Sequence, residues 1–135
     1  VPDIDCNSIK VLNKKKEIGS TGVDLDSYVE LQFDNKFKSK IGASFTKNLG
    51  KETRIVGEKG ELLIENTWHG DPSIIKIKGE KSYEINVRCY ANIFSHGIEN
   101  ISKSVLENKK ESIYPGMSLV ETLLNMKILD EWLND

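Results

Sequence analysis

The hydrophobic pattern of the chain changes its period once, at about residue 90, and this change limits the possible folds more than any other feature. Before that point apolar and polar side chains alternate, as they do through Val29, Leu31 and Phe33, and a period of two residues predicts half-buried strands. Beyond it apolar residues recur every three or four positions, which is typical of helices. Short turns join the strands, so we expect a mostly antiparallel sheet and an α+β fold class.

Turn signals divide the strand region into hairpins. A first strand is expected over residues 8–18, and residues 34–36 form a turn between the strand that ends at Phe33 and a strand over residues 37–45. Gly57-Glu58-Lys59-Gly60 marks a second hairpin turn, and Gly79-Glu80-Lys81 marks a third. We therefore expect one mostly antiparallel sheet of about six strands, with the two C-terminal helices packed on one of its faces.

Two helices are predicted in the last third of the chain. The first runs from about Tyr90 to Val105, and the second starts at a capping box, in which Ser118 and Glu121 each satisfy a free backbone N–H. The second helix runs to about Leu133 and carries apolar residues on several sides: Leu119, Val120, Leu123, Leu124, Met126, Ile128, Leu129, Trp132 and Leu133. Such a helix is buried on several sides, either at the centre of the core of this domain or beneath a further domain or subunit.

Composition argues against several function classes. The chain has 135 residues, a size typical of one domain, and its 19 basic and 21 acidic side chains give no support for nucleic acid as a partner. No apolar run approaches the roughly 18–20 residues of a membrane span, and the pattern of a secretory signal peptide is not found, so no membrane partner is expected. Cys6 and Cys89 are expected to be free thiols in the reducing cytoplasm.

The motifs that would carry chemistry are incomplete. Gly50-Lys51-Glu52-Thr53 matches a phosphate-binding P-loop only at its Gly-Lys pair, because Phe45 replaces the first required glycine and Glu52 replaces the Ser or Thr. The two histidines, His69 and His96, lack the further ligands that zinc needs, so no metal site is expected. Each histidine either contacts a polar substrate or is an exposed structural residue. The residues alone predict an α+β domain without a catalytic constellation.

Three parts of the chain carry a family resemblance. They are Thr21-Gly22-Val23-Asp24 leading into residues 28–35, residues 54–64 with Trp68 close behind, and residues 114–119 with the closing run 125–132. In this order they resemble the C-terminal domain of the glucose–fructose oxidoreductase/inositol dehydrogenase (Gfo/Idh/MocA) family, in particular the branch that includes dimeric dihydrodiol dehydrogenase. The resemblance covers nearly the whole chain.

The resemblance implies an oxidoreductase that uses NAD or NADP and acts on a sugar, an inositol or a related alcohol. Members of the family carry an N-terminal Rossmann domain with a GxGxxG turn and a catalytic Lys in a Glu-Lys-Pro motif, and neither motif occurs in this chain. Residues 1–135 are therefore expected to be a truncated C-terminal domain for substrate and oligomer contacts, inactive alone, with no catalytic, cofactor-binding or metal-binding residue. The expected partners are the Rossmann domain, a small polyol or sugar, and a second copy bound through the sheet face.

The resemblance also implies where substrate contacts lie. Family members often place an aromatic residue near the start of the helix after the last strand, and Tyr90 or Phe94 fills that place in this chain. Lys47 and Asn48, in the loop before the second hairpin, are further candidates for substrate binding. His96, on the first predicted helix, is another, because it can contact a polar substrate.

A second interpretation needs no enzymatic parent. The same strands and helices fit a stand-alone β-rich module for protein interaction or ligand binding, without enzymatic activity. In a ligand-binding barrel the final helix would cap a cavity that the sheet encloses. The coding sequence upstream of Val1 separates the interpretations, since a GxGxxG unit followed by Glu-Lys-Pro supports the enzyme.

Overall fold

The structure, a computed structural model, describes residues 8–34, 36–70 and 72–134, and it confirms the change from strands to helices. Its elements are β1 (Ile9–Ile18), β2 (Asp24–Phe33), β3 (Phe37–Ser44), β4 (Thr53–Gly57), β5 (Gly60–Ile64), β6 (Ser73–Lys78), β7 (Tyr83–Val87), α1 (Ile93–Leu106) and α2 (Leu119–Leu133). The predicted hairpins are confirmed, with β2 paired to β3, β4 to β5 and β6 to β7, all antiparallel. Cys6, and Asn35 of the first predicted turn, lie outside the described residues.

The expected single sheet of about six strands is wrong. The described strands form two antiparallel sheets, one of three strands in the order β1-β2-β3 and one of four strands in the order β4-β5-β6-β7. After β3 the hydroxyl oxygen of Ser44 accepts hydrogen bonds from the backbone N–H groups of Thr46 and Lys47, at 3.1 and 2.7 Å. This local bonding turns the chain out of the strand conformation, and Gly50 follows with a φ of 83°. The α+β class and the antiparallel pairing are confirmed.

The chain divides into two compact units. Residues up to 49 and from 117 onwards, which hold β1, β2, β3 and α2, form the first unit. Residues 50–116, which hold the other four strands and α1, form the second unit and are inserted between the two segments of the first. The two helices belong to different units, so the expectation that both pack on one face of one sheet is wrong.

The sheet of the first unit has an apolar face and a polar face. β2 lies in the middle, and its register with β3 pairs Phe33 with Phe37 and Val29 with Ile41. The Phe33 and Phe37 rings stack with their centroids 4.5 Å apart, which stabilises this register next to the turn. Val29 and Leu31, each 4% exposed, form the buried core on the same face. The alternation in the sequence is therefore the alternation between the two faces of the sheet.

α2 lies against β1 of the same unit. The ammonium group of Lys14 donates to the carbonyl oxygens of Glu131, at 2.8 Å, and of Asn134, and the ammonium group of Lys16 donates to the carbonyl oxygen of Leu133 at 2.5 Å. The two lysines lie on the face of β1 that is paired with the core residues of β2. Their charges compensate the unsatisfied carbonyl groups and the negative end of the helix dipole.

The exposure of α2 corrects the expectation of a helix at the centre of the core. Only four of its apolar side chains are half-buried: Leu124, Ile128, Leu129 and Trp132. Five others are at least half exposed: Leu119, Val120, Leu123, Met126 and Leu133. A helix that packs on one sheet buries one side, so the described residues leave the second apolar side of α2 uncovered. The capping box predicted at its start is confirmed.

The sheet of the second unit separates apolar from charged side chains. One face carries two apolar rows across the strands, Ile55, Leu62, Ile77 and Tyr83 in one, and Ile64, Ile75 and Ile85 in the other. On the opposite face Glu61 forms ion pairs with Arg54 and Lys78, both at 3.2 Å, and Glu65 forms an ion pair with Lys76. The acidic and basic side chains of this sheet thus neutralise one another on one side of it.

α1 begins after Asn92, whose side-chain oxygen accepts a hydrogen bond from the backbone N–H of Ser95 at 2.9 Å. Further along, Asn100 donates to the carbonyl oxygen of Ile113 at 2.7 Å, and the hydroxyl of the buried Ser104 accepts from the N–H of Ile113 at 3.1 Å. The apolar residues that recur at helical spacing along this segment are exposed: Tyr90, which precedes α1, and Phe94, Ile98, Ile101 and Val105.

Neither helix resembles a membrane span. Within the part of the chain that the structure describes, no helix combines the length and the apolarity needed to cross a bilayer.

Cys89 is a free thiol, as expected for one of the two cysteines.

Candidate functional site

The second unit contains a cavity at one end of its apolar sheet face, next to the start of α1. Its volume is about 320 Å³, near the lower end of the roughly 300–1,000 Å³ of small-molecule sites. Its apolar lining consists of Ile64, Ile75, Val87 and Ile93. The rest of the lining is Asn66, Thr67, Gly70, Ser73, Arg88, Cys89 and His96. A lining that combines polar and aliphatic residues suits a small molecule with both polar and apolar parts.

The cavity forms where β5 and β7 end and β6 begins. Ile64, Ile75 and Val87 reach it because they share the apolar face of the sheet, and Ile93 reaches it as the first residue of α1. Gly70 closes the wall with a φ of 65°, and a Cβ atom at this position would lie 1.8 Å from Cγ2 of Ile93. Only glycine permits this approach. The cavity therefore depends on close contact between the loop before β6 and the first turn of α1.

Hydrogen bonds hold the polar lining in place. The backbone N–H of Asn66 donates to the hydroxyl oxygen of Ser73 at 3.0 Å, and the backbone N–H of Thr67 donates to the carbonyl oxygen of Lys51 at 3.0 Å. The thiol of Cys89 donates to a backbone carbonyl two residues further on, at 2.5 Å. A lining that is fixed before the ligand arrives reduces the entropic cost of binding.

Three of the predicted substrate residues belong to the second unit, and one of them lines the cavity. His96 lies in the lining together with Ile93, three residues before it on α1. Phe94 is 75% exposed and borders a shallow apolar patch on the outer side of α1 instead. Tyr90 is 88% exposed and is not among the described residues of the lining. The structure thus assigns His96 to the cavity and leaves the two aromatic residues at the surface.

The other two predicted substrate residues, Lys47 and Asn48, belong to the first unit, in the loop after β3. The ammonium group of Lys47 donates to the carboxylate of Asp26 and lies 3.8 Å from the carboxylate of Glu17. Lys47 is therefore bound to side chains of its own unit. The described lining of the cavity consists of second-unit residues alone. A role of Lys47 and Asn48 in substrate binding stays a prediction.

Asp26 is 2% exposed and binds three donors, one at the end of β3 and two in the loop that follows it. Its carboxylate accepts hydrogen bonds from the hydroxyl of Ser44 at 2.5 Å, from the hydroxyl of Thr46 at 2.7 Å and from the ammonium of Lys47. Lys47 first, and then Ser44 and Thr46, hold the pKa of Asp26 far below its usual range. Asp26 in turn raises the pKa of Lys47. Both groups stay charged at neutral pH, and the pair fastens the loop to β2.

The sequence contains a signal for this cluster that alternation alone does not reveal. The register of the first hairpin places Asp26 directly opposite Ser44. A carboxylate opposite a serine, with Lys47 three residues further on, brings an acceptor and its donors together. No such signal marks Arg88, because it follows the last residue of β7, where the alternation of the strand ends.

A comparison with models of protein families and with curated proteins finds no match for this chain. Among the described residues, no group of three His, Cys, Asp or Glu side chains is arranged to hold a metal ion. What the cavity offers is a set of hydrogen-bonding groups beside aliphatic walls, an arrangement suited to binding a small molecule.

Proposed function

We propose that this chain is the C-terminal, substrate-binding domain of an NAD(P)-dependent oxidoreductase that acts on a sugar, an inositol or a related alcohol. Hydride passes between the alcohol carbon and a nicotinamide ring that a Rossmann domain of the same protein holds. The 135-residue chain shapes the substrate side of the site and contributes the subunit contact. It is inactive alone, because NAD or NADP binds to the full-length parent.

The observation that carries the proposal is the cavity beside α1. Its volume suits a monosaccharide or a cyclitol. The polar groups of Asn66, Thr67 and Arg88 can bond to several hydroxyl groups of such a molecule, and Ile64 and Ile93 can cover its apolar ring face. Within the described lining, His96 is the one side chain suited to act as a general acid or base, and it has no second such group beside it. A site built for binding fits a substrate domain whose coenzyme is bound elsewhere.

Uncovered apolar surface supports the proposed contact with a second copy. Ile55, Tyr83 and Ile85 are exposed on the apolar face of the second sheet. Contiguous apolar surface of this kind is typical of areas that an assembly covers. We assign the homodimer contact to this sheet face.

The first test asks whether the chain binds the coenzyme by itself. Isothermal titration calorimetry of NADH and of NADPH into the 135-residue chain is expected to show no binding, since its sequence contains no GxGxxG turn to hold the pyrophosphate. Binding of either coenzyme with micromolar affinity would contradict the proposal.

The second test reads the coding sequence upstream of Val1. A GxGxxG strand–turn–helix followed by Glu-Lys-Pro supports the oxidoreductase. The protein that includes this segment is then expected to reduce NAD⁺ or NADP⁺ when a polyol is added, which the absorbance of the reduced nicotinamide reports. An in-frame stop codon directly upstream of Val1 overturns the proposal.

That last outcome favours the second candidate function, a stand-alone β-rich module. The same cavity would then bind a small ligand without hydride transfer, or the exposed apolar faces would bind another protein. Because either candidate can use the cavity, ligand binding does not separate them. The upstream sequence, and coenzyme-dependent activity of the protein that includes it, do separate them.

A further inference from the structure

Two basic side chains and no described carboxylate line the cavity. Arg88 and His96 lie in the lining, and no Asp or Glu is among its described residues. The guanidinium group of Arg88 forms no ion pair with any residue that the structure describes. A guanidinium without a carboxylate partner presents a fork of N–H donors that matches a carboxylate or a phosphate, and an imidazole adds one more donor.

The acidic residues of the second sheet lie on its other face. Glu61 and Glu65 are held there by ion pairs with lysines, and Glu84 is registered opposite Lys76. Successive side chains of a strand point to opposite faces, so these carboxylates are directed away from the apolar face on which the cavity forms. None of the three forms an ion pair with Arg88 among the described residues.

The start of α1 adds to the same potential. Ile93 and His96, both in the first turn of α1, line the cavity, and this turn contains no acidic residue. The positive end of the helix dipole therefore borders a cavity that Arg88 also lines.

We propose that the ligand of this cavity carries an anionic group, a carboxylate or a phosphate, that binds Arg88 and His96. The hydroxyl-bearing part of the ligand then lies against Thr67 and the aliphatic walls. This inference rests on the proposed function in taking the ligand to be the substrate alcohol. The substrate is then a sugar acid or a phosphorylated polyol, and a neutral sugar is the weaker ligand.

The test is an NMR titration of the isotope-labelled 135-residue chain with three ligands that share one ring, D-glucuronate, D-glucose-6-phosphate and D-glucose. At least one anion is expected to bind about tenfold more tightly than glucose, which is the gain from one charge-assisted hydrogen bond. The amide signals of Thr67, Arg88 and His96 are expected to shift. The tighter anion identifies the group as carboxylate or phosphate. Equal affinity for all three ligands, or no binding of any of them, overturns the inference.

Matched variants locate the effect, because the chain has only two arginines, Arg54 and Arg88. Arg88→Gln is expected to abolish the preference for the anion, whereas Arg54→Gln, which changes the charged face of the sheet, is expected to keep it. Arg88→Lys retains a positive charge and is expected to restore part of the preference. The inference is overturned if Arg88→Gln and Arg88→Lys both keep the wild-type preference. It is also overturned if Arg54→Gln loses the preference, because the anion then binds elsewhere.

Failure of this inference is distinct from failure of the proposed function. If the longer protein oxidises a neutral polyol with its coenzyme while the titration shows no preference for the anion, the inference is overturned and the proposal of an oxidoreductase stands. If the titration shows a preference for the anion and the upstream sequence encodes no Rossmann segment, the inference stands and the proposal of an oxidoreductase fails.

Discussion

At Asp26 three donors from the end of β3 and the loop after it meet a carboxylate that is almost closed to solvent. A buried charge is costly unless it is paired and hydrogen-bonded, and Ser44, Thr46 and Lys47 supply these bonds. The loop after β3 can therefore pack on β2 only while these groups bind Asp26. Ionisation of one side chain and the conformation of one loop are linked.

We expect Asp26→Asn to lower the urea midpoint of the chain at neutral pH and to lower it much less in acid. Bonds from Lys47, Ser44 and Thr46 hold the pKa of Asp26 in the folded chain below its value in the unfolded chain. A carboxyl group of this kind contributes stability above the unfolded pKa of about 4 and loses the contribution as the pH falls. Urea denaturation followed by circular dichroism, at neutral pH and in steps down to about pH 2, measures the difference, because the contribution fades gradually between the unfolded pKa and the much lower folded pKa.

Asp24→Asn is the matched control, because Asp24 lies two residues away on β2 and its side chain has no ion pair within the described residues. Its midpoint is expected to change little at either pH. If Asp26→Asn lowers the urea midpoint by the same amount in acid as at neutral pH, the link between the charge and the loop is contradicted.

Among the elements, α2 is held at its two ends by different chemistry. At its start the hydroxyl oxygen of Ser118 accepts from the backbone N–H of Glu121 at 3.2 Å, and the carboxylate of Glu121 accepts from the backbone N–H of Ser118 at 2.7 Å. We expect Ser118→Ala to destabilise the chain by about 1 kcal/mol in urea denaturation. Ser118→Gly is the control, since glycine at a helix N-cap costs only a few tenths of that amount. Equal losses in the two variants would argue against the cap.

The C-terminal end of α2 depends on Lys14 and Lys16 of β1. We expect Lys14→Met combined with Lys16→Met to speed amide hydrogen exchange in the last turn of α2, because carbonyl groups there lose their donors. Lys15→Met is the control, since Lys15 lies between them on the opposite face of β1 and is paired with Tyr28. Faster exchange in the control than in the double variant would contradict the assigned contacts.

The elements themselves were predictable from sequence because their signals are local. The capping box fixes the start of α2, and turn residues together with alternation fix the hairpins. The start of α1 differs, since the apolar pattern extends back to Tyr90, whereas the Asn92 cap begins the helix at Ile93. The division into two sheets was not predictable, because alternation shows which face a residue occupies and does not identify the neighbouring strand.

At the scale of the whole molecule the second unit is one continuous stretch, residues 50–116. We expect this segment, expressed alone, to give amide NMR signals that coincide with those of the same residues in the full chain, because its strands pair only with one another. Residues 8–49 without the C-terminal helix are the comparison, and they are expected to remain largely unfolded. An unfolded 50–116 segment would contradict the division.

The proposed homodimer also belongs to this scale. Light scattering of the 135-residue chain at high concentration is expected to give the mass of a dimer, and Ile85→Glu is expected to give a monomer, since it places a charge on the exposed apolar face. Glu84→Gln changes the adjacent residue on the other face and is expected to leave the dimer intact. A monomeric wild-type chain would contradict the assigned interface.

The candidate site was predictable only in part. His96 was accessible to sequence reasoning because an imidazole on the first predicted helix can contact a polar substrate. Arg88 was not, since its position depends on where β7 ends. The involvement of Lys47 with Asp26 depends on the burial of that carboxylate, which arises only when the loop after β3 folds back.

Because the first unit is made from the two ends of the sequence, it is completed last when the chain is synthesised. Its three strands leave the ribosome before the inserted 50–116 segment, and α2 emerges after that segment. During translation Lys14 and Lys16 therefore lack their carbonyl partners until α2 is made, and the apolar face of the sheet stays uncovered until then. A premature stop codon just before Leu119 would consequently leave the sheet of β1, β2 and β3 without its helix and spare the 50–116 segment.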